Sequence, residues 1–434
     1  MQISLGRKFG AVLAGLAILA TSACSSSPTA TTQAATPAAN EPVTLTVATF
    51  NEFGYDDLYA EYMTLNPNVT IKPKKAATSN EARDNMNTRL AAGSGLSDIE
   101  AVEVDWLPDL MQSPQLFMDL KSDDVAGRWL DWKEKAATTA DGKLVGYGTD
   151  IGPEAVCYRS DLFAKAGLPT DRDEVAALLG NTWDSYFAAG KSFVAKSKGV
   201  AWFDSAGAVF QARLNQLPNA YSSSATEEVL IPLEQNQAIK DVYSSTLAAS
   251  IDDKLSAGMA QWSQDWTNAF QKGNFATMLC PGWMLGVIEG NAAGVKGWDI
   301  ANTFPGGGGN WGGSYLTVPA QGKNQAAARQ LAAWLTAPEQ QIKAFKAKGT
   351  FPSQTAALAS PDLQGVTNKF FNDAPTGKIL ADRAAAVTVA PFKGPNYFAI
   401  TTLISDAINR VEVEKTDDVE SSWAKAVEEF KALG

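Results

Sequence analysis

From residue 43 the chain alternates between two hydrophobic periods. Residues 43–49, VTLTVAT, place apolar or β-branched side chains in the two-residue rhythm of a half-buried strand. Residues 55–65 follow helical spacing, Asn66-Pro67-Asn68 makes a turn, and residues 69–71 begin a second strand. Residues 80–92 read as a helix stopped by Gly93, and residues 98–104 as a third strand running into Asp105, Trp106 and Leu107. Strand and helix in alternation predict an α/β unit with a mainly parallel sheet. In such sheets ligands bind beyond the C-terminal strand ends, which puts Glu52, in the 50–54 loop, and the Asp105-Trp106 pair at the candidate site. The protein core is the alternative place for Trp106, because Trp is mostly buried.

The pattern breaks and restarts at residues 148–163, GTDIGPEAVCYRSDLF. Asp150 stands beside a Gly152-Pro153 break, followed by a β-rich run around Cys157 and a helical DLFAKAG. Thr182 is an N-cap for a helix over 183–196, and residues 200–204, VAWFD, read as a strand ending on Asp204. Residues 236–248 form a helix, residues 274–280 a strand, and Pro281-Gly282 leads into a helix that begins at Trp283. Residues 304–319, FPGGGGNWGGSYLTVP, satisfy G-x-G-x-x-G at Gly307, Gly309 and Gly312. A strand follows in place of a helix, so no helix N-terminus is present to hold a phosphate. The run instead predicts a flexible second passage between the two halves, with Trp311 at the cleft. Residues 324–348 read as one long amphipathic helix closed by Gly349, with Pro352 marking a third passage. An irregular stretch over 384–398 carries Phe392, Asn396 and Tyr397, and Trp423, Val427 and Phe430 share one face of the last helix.

At 434 residues the chain exceeds what one hydrophobic core serves, which predicts two domains. A net charge of −11 disfavours nucleic acid and anionic membrane surfaces as partners. The absence of histidine removes Ser-His and Cys-His nucleophile pairs and His-based metal sites, and neither a metal nor a cofactor is expected. Residues 1–23 read as a signal peptide: basic Arg7 and Lys8, an apolar run over 9–20, then small residues. That run is shorter than the about 20 residues a membrane span needs. The ATSAC ending resembles a bacterial lipobox in which Cys24 becomes the acylated first residue. Thr21 stands where a leucine is usual, and plain secretion is the alternative. Residues 24–42, rich in Ser, Thr, Pro and Ala, then form a disordered tether behind the lipidated Cys24. Cys157 and Cys280 both fall in predicted buried strands of an exported protein, so a disulfide is expected, with two inert thiols as the alternative.

DIGPEAVCYRSDLFAKAGLP followed by NTWDSY, then FQKGNFATMLCPGW, GWDIANTFPGG with GGSYLTVP, and AAARQLAAWLTAPEQQ occur in that order over most of the mature chain. Together they resemble the extracellular solute-binding proteins of sugar ABC importers, the maltose-binding-protein-like group. The resemblance implies an α/β, two-lobed periplasmic-binding-protein-like fold with a ligand cleft between lobes joined by three hinge crossings. One lobe would hold residues 43–150 plus 309–349, the other residues 151–308 plus 350–434. It further implies a monomeric binding protein, not an enzyme. That protein would sit at the extracellular face of the cell membrane, touch the membrane only through its lipid anchor, and have a sugar ligand and the permease subunits of an importer as partners.

A sugar presents hydroxyls at its rim, which carboxylates and amides serve, and C–H patches on its faces, which aromatic rings cover. The candidate ligand-binding residues are therefore Glu52, Asp105, Trp106, Asp150, Asp204, Trp283, Trp311 and Asn396, with Phe392 and Tyr397 as further wall residues. The resemblance puts Asp105 on the family's acidic sugar contact and Trp283 on its stacking tryptophan. Twelve tryptophans scattered over several loops lean toward an oligosaccharide. Two alternatives stand beside this reading: a binding protein for a non-sugar solute, and a secreted glycoside hydrolase using two of the carboxylates.

Overall fold

The computed structural model describes residues 41–224 and 226–433. Cys24 and the leader before it lie outside the described residues. Among the described residues ten strands order the fold: β1 Val43–Phe50, β2 Val69–Ala76, β3 Ile99–Glu103, β4 Gly146–Gly148, β5 Asp150–Ile151, β6 Glu154–Arg159, β7 Thr277–Pro281, β8 Trp298–Ala301, β9 Ser314–Thr317 and β10 Phe351–Pro352. They form a five-stranded sheet in the order β2-β1-β3-β9-β4, a three-stranded sheet in the order β7-β6-β8, and a β5-β10 pair.

In β1 the alternation does what it predicts: Leu45 and Val47 are fully buried, while Thr46 turns out to bond the Asp98 carboxylate. β1 pairs parallel with β2 over eight positions and parallel with β3. β9 is antiparallel to both β3 and β4, so the sheet is mixed and not mainly parallel. The chain comes back beside the end where β3 leaves, with the Val104 amide donating to the Gly313 carbonyl, and from there it can only run the opposite way. The second sheet is antiparallel throughout, with all six residues of β6 buried.

Two further expectations change. Residues 200–204 form only isolated bridges, Ala201 to Phe275 and Phe203 to Ser256. Consecutive Trp202 and Phe203 are both fully buried, and both their amides donate to the Leu255 carbonyl, so no regular ladder forms. The long helix over 324–348 is two helices, Gln325–Leu335 and Pro338–Lys348, because Pro338 lacks an amide hydrogen and starts a helix of its own.

The apolar core is divided. One cluster gathers Leu45, Val47, Ile99, Val102, Tyr147, Leu316 and Leu331, with no buried member among the described residues between Tyr147 and Tyr315. The remaining clusters gather side chains from Ile151 to Phe304 and from Ile342 to Val427. The helix Pro338–Lys348 contributes to both sides, Ala344 to the first and Ile342 and Phe345 to the second. Three stretches of chain run side by side where these cores meet: Ile151 pairs with Phe351, and Pro153 bridges Asn310. The Gly152 amide donates to the Asn310 side chain at 2.9 Å, and the Trp311 amide to the Gly152 carbonyl at 2.8 Å. Cys157 and Cys280 lie on neighbouring strands β6 and β7, their Cα atoms 5.5 Å apart and their sulfurs at bonding distance. Among the described residues no helix is long and apolar enough to cross a membrane.

Candidate ligand-binding site

A cavity of about 340 Å³ opens beside these crossings, within the range of small-molecule sites. One side is built from strand ends and helix starts. β1 ends in Phe50 and then Asn51, whose φ of 47° is left-handed and turns the chain so that Glu52 and Phe53 face the cavity. Glu52 is held by Lys75 at 2.6 Å and Lys348 at 3.6 Å. The helix Ser79–Ala91 presents its first turn with Thr78, Ser79 and Asn80. β3 ends on Glu103, whose carboxylate accepts the Asp105 amide at 2.7 Å. Asp150, at the first crossing, accepts from the Thr149 hydroxyl at 2.6 Å and the Ser314 amide at 2.9 Å.

The opposite wall is aromatic. The Trp283 indole N–H donates to the Trp311 carbonyl at 2.8 Å, and the two rings meet at 89° with centroids 5.9 Å apart. Trp262 lies nearly parallel to Trp283, 6.1 Å away at 24°. Its backbone φ of 71° is rare for a bulky residue, and Gly258, four residues earlier, is also left-handed, so the loop reverses sharply enough to expose the ring.

Glu52, Glu103, Asp105 and Asp150 all line the cavity, and among the described residues no Lys or Arg does. Burial, with the Asp105 carboxylate adding to it, pushes Glu103 up from 4.5 to about 8. Burial also raises Asp150, against the pull of Lys133 and its two hydrogen bonds. Lys133 sits behind this floor, fully buried, its ammonium 3.9 Å from the Tyr315 ring and without a hydrogen-bond acceptor among the described residues. Burial brings it down to about 8, opposed by Asp150 and Glu103. Across the cavity Lys393 pairs with Asp105.

Of the sequence candidates, the structure brings Glu52, Asp105, Asp150, Trp283 and Trp311 together and leaves three elsewhere. Trp106 is 1 % exposed and belongs to the core; its N–H donates to Ser79 Oγ at 3.0 Å, so it props the rim from behind. Asp204 is likewise buried: it accepts from Gln261 and from the Trp266 indole, each at 2.8 Å, and so anchors the loop that carries Trp262. Asn396 is occupied with Glu228, donating its side chain at 2.7 Å and its amide at 2.9 Å. Tyr397 is buried in a core cluster, and the Phe392 amide is tied to the Pro218 carbonyl at 2.8 Å. Sequence reasoning missed Glu103, Gln261, Trp262 and Phe398. Trp262 did carry a signal, a large aromatic inside the polar run QWSQDW, where no apolar period explains it.

The model of the family described as bacterial extracellular solute-binding protein matches residues 57–372. The chain belongs to that family. This solute-binding protein is similar, at 51 % identity, to a crystal structure of an extracellular solute-binding protein of family 1, covering 89 % of this chain and 98 % of that one with a TM-score of 0.77. It is also similar to arabinooligosaccharide-binding proteins of two bacteria. The Bacillus subtilis protein is 24 % identical over 342 residues, 74 % of this chain and 75 % of that protein. The Halalkalibacterium halodurans protein is 23 % identical over 230 residues, 52 % of this chain, and the match spans about half, 49 %, of that relative's length. The two-lobed α/β architecture is the one these solute-binding proteins share.

Proposed function

We propose that this protein captures an oligosaccharide between its two lobes and delivers it to the membrane subunits of an ABC importer, acting as a monomer held at the extracellular face of the membrane by acylated Cys24. The lobes are residues 43–150 plus 309–349 and residues 151–308 plus 350–434; the division of the apolar core near residues 150 and 309 supports the first two bounds, and the helix Pro338–Lys348, packed on both cores, runs up to the third. The observation that carries the reading is the cavity itself, with carboxylates along one side and a corner of tryptophans on the other. Hydroxyls would go to the first and C–H faces to the second. The names of the two curated relatives make arabino-oligosaccharides the first ligands to try. Glu52, Glu103, Asp105 and Asp150 all come from the same side of the cavity, whereas glycoside hydrolysis uses a carboxyl pair flanking the scissile bond. That arrangement favours binding over catalysis.

A ligand that touches both lobes favours the closed arrangement and raises the melting temperature. Thermal-shift and calorimetric titration with arabino-, galacto- and malto-oligosaccharides should find a stabilising sugar, returned unchanged after incubation. Stabilisation by peptides or amines and by none of these sugars overturns the reading, as does the appearance of shorter products. Cys24→Ala should move the protein from the membrane fraction into the medium.

A further inference from the structure

The cavity is unevenly closed. At one end its lining meets solvent: Trp262 is 40 % exposed and the Glu52 side chain 33 %. At the other end the two sides are tied across the cleft. Asp105, just past β3, is ion-paired to Lys393, which lies in the irregular segment after the helix Thr376–Ala385. Their side chains are only 14 % and 9 % exposed, and the Lys393 ammonium also faces the Tyr397 ring at 4.9 Å. Beside this pair the Arg83 guanidinium sits 4.4 Å over the ring of Phe398, itself a lining residue. A charge pair shielded from water leaves a stranded charge when one partner goes, so this contact is a clasp and not surface decoration.

We propose that the Asp105–Lys393 clasp makes the cavity blind at that end, so that the protein recognises the terminal unit of a glycan chain while the rest of the chain leaves past Glu52 and Trp262. The aromatic geometry runs the same way. Trp283 and Trp311 make a right-angled corner for one sugar ring, and Trp262, stacked on Trp283 and 40 % exposed, offers its own outer face to the next ring. Glu103 and Asp150 line the same cavity, and the Glu103 carboxylate and the Trp283 indole nitrogen flank Gly312 together, so these carboxylates would meet the hydroxyls of that last unit. A substituent on the buried end would have to break the clasp, whereas one on the outgoing end meets only solvent, so selectivity comes from exclusion as well as contact.

The inference rests on the carbohydrate reading, and the test separates the two. Arabino-, galacto- and malto-oligosaccharides are titrated calorimetrically in three forms: free, carrying a bulky aglycone at the reducing end, and carrying a bulky ether on the non-reducing terminal sugar. One capped form should bind within about threefold of the free sugar and the other should lose about 100-fold. Lys393→Ala, checked for folding by circular dichroism, should recover about tenfold for the rejected form. Equal acceptance of both caps means an open groove that reads internal units, and equal rejection means full enclosure; either overturns the proposal while the carbohydrate reading stands. A folded Lys393→Ala protein that recovers nothing removes the clasp as the cause. Failure of every free sugar to bind removes the carbohydrate reading and this inference with it.

Discussion

Trp283→Ala tests the site most directly. Trp283 is half-buried, packed on Trp262 and Trp311, so at most about a third of the 150–250 Å² a Trp can bury remains for a ligand. At about 25 cal/mol per Å² those roughly 50–80 Å² are worth about 1.3–2 kcal/mol. Stacking geometry adds about 0.5–1 kcal/mol. The sum, about 2–3 kcal/mol, is about a 30- to 150-fold loss of sugar affinity. The same substitution removes the 2.8 Å hydrogen bond to the Trp311 carbonyl, about 1 kcal/mol of stability, and the indole's packing on Trp262 and Trp311, about a further 2–4 kcal/mol, so the melting temperature should fall while unfolding remains cooperative. Trp283→Phe keeps a flat face and loses the donor, and it should cost less affinity than alanine does. The assay is isothermal titration calorimetry of the three proteins with one sugar, beside their circular-dichroism melts. Unchanged affinity in a folded Trp283→Ala protein refutes the stacking role.

Stability should depend on pH with two opposite slopes. Glu103, raised from 4.5 to about 8, holds its proton in the folded state where the unfolded chain has lost it, so its contribution is fully present below about pH 4.5 and is lost as pH rises to about 8. Lys133, lowered from 10.5 to about 8, gives the reverse: the folded state sheds a proton that the unfolded chain keeps, and stability recovers between about pH 8 and 10.5. Melting curves across that range should show Glu103→Gln flattening the falling branch in part, since Asp150 and Glu154 are also raised, and Lys133→Met flattening the rising one. Gly152→Ala should destabilise by about 1–3 kcal/mol and weaken sugar binding, because the added Cβ would lie 1.7 Å from the Trp311 carbonyl and force two crossings apart; a chemical-denaturation midpoint equal to wild type would contradict this. The Cys157–Cys280 bond closes a sequence separation of 123 residues, so replacing both cysteines by serine should cost about 2–5 kcal/mol while leaving sugar affinity within about twofold, as both sulfurs are fully buried in a core.

Local pattern was enough for most elements because each decision was local. The period-two run of β1, the Thr182 capping box before the helix Trp183–Val194 and the left-handed Gly349 after Lys348 each involve a few neighbouring residues. What pattern missed depends on distant partners. The direction of β9 follows from where the chain comes back to the first sheet, beside Val104, and nothing in SYLT encodes that. VAWFD has strand propensity, yet two adjacent aromatic side chains are claimed by the core and the ladder is lost.

The site divides along the same line. Asp105, just past β3, was found because the end of an apolar run is visible, whereas Glu103, the last residue of that strand, was missed, and a carboxylate at the end of an apolar run can also face inward. Asp204 does: it lies behind the wall and holds Gln261 and Trp266, and Trp262 is the residue it presents. The two are 58 residues apart in the chain numbering, so the partnership shows only in three dimensions.

The crossings show why the aromatic wall and the hinge belong to one device. Trp311 donates its amide to the Gly152 carbonyl and accepts the Trp283 indole N–H on its own carbonyl. The second crossing is thus tied to the first through backbone and to the ligand wall through a side chain, and Gly152 leaves no room for either bond to slacken toward it. A rotation that carried Trp283 away from the carboxylate side would have to stretch the Trp283–Trp311 bond as well as the Asp105–Lys393 pair. A ligand held between Trp283 and Asp150 opposes that rotation with its own binding free energy, and can bias closure only by the difference between its affinities for the two arrangements. Residues that touch both the ligand and a crossing should therefore change affinity and closure together, whereas Trp262, which among the described residues makes no hydrogen bond to a crossing, should change affinity alone.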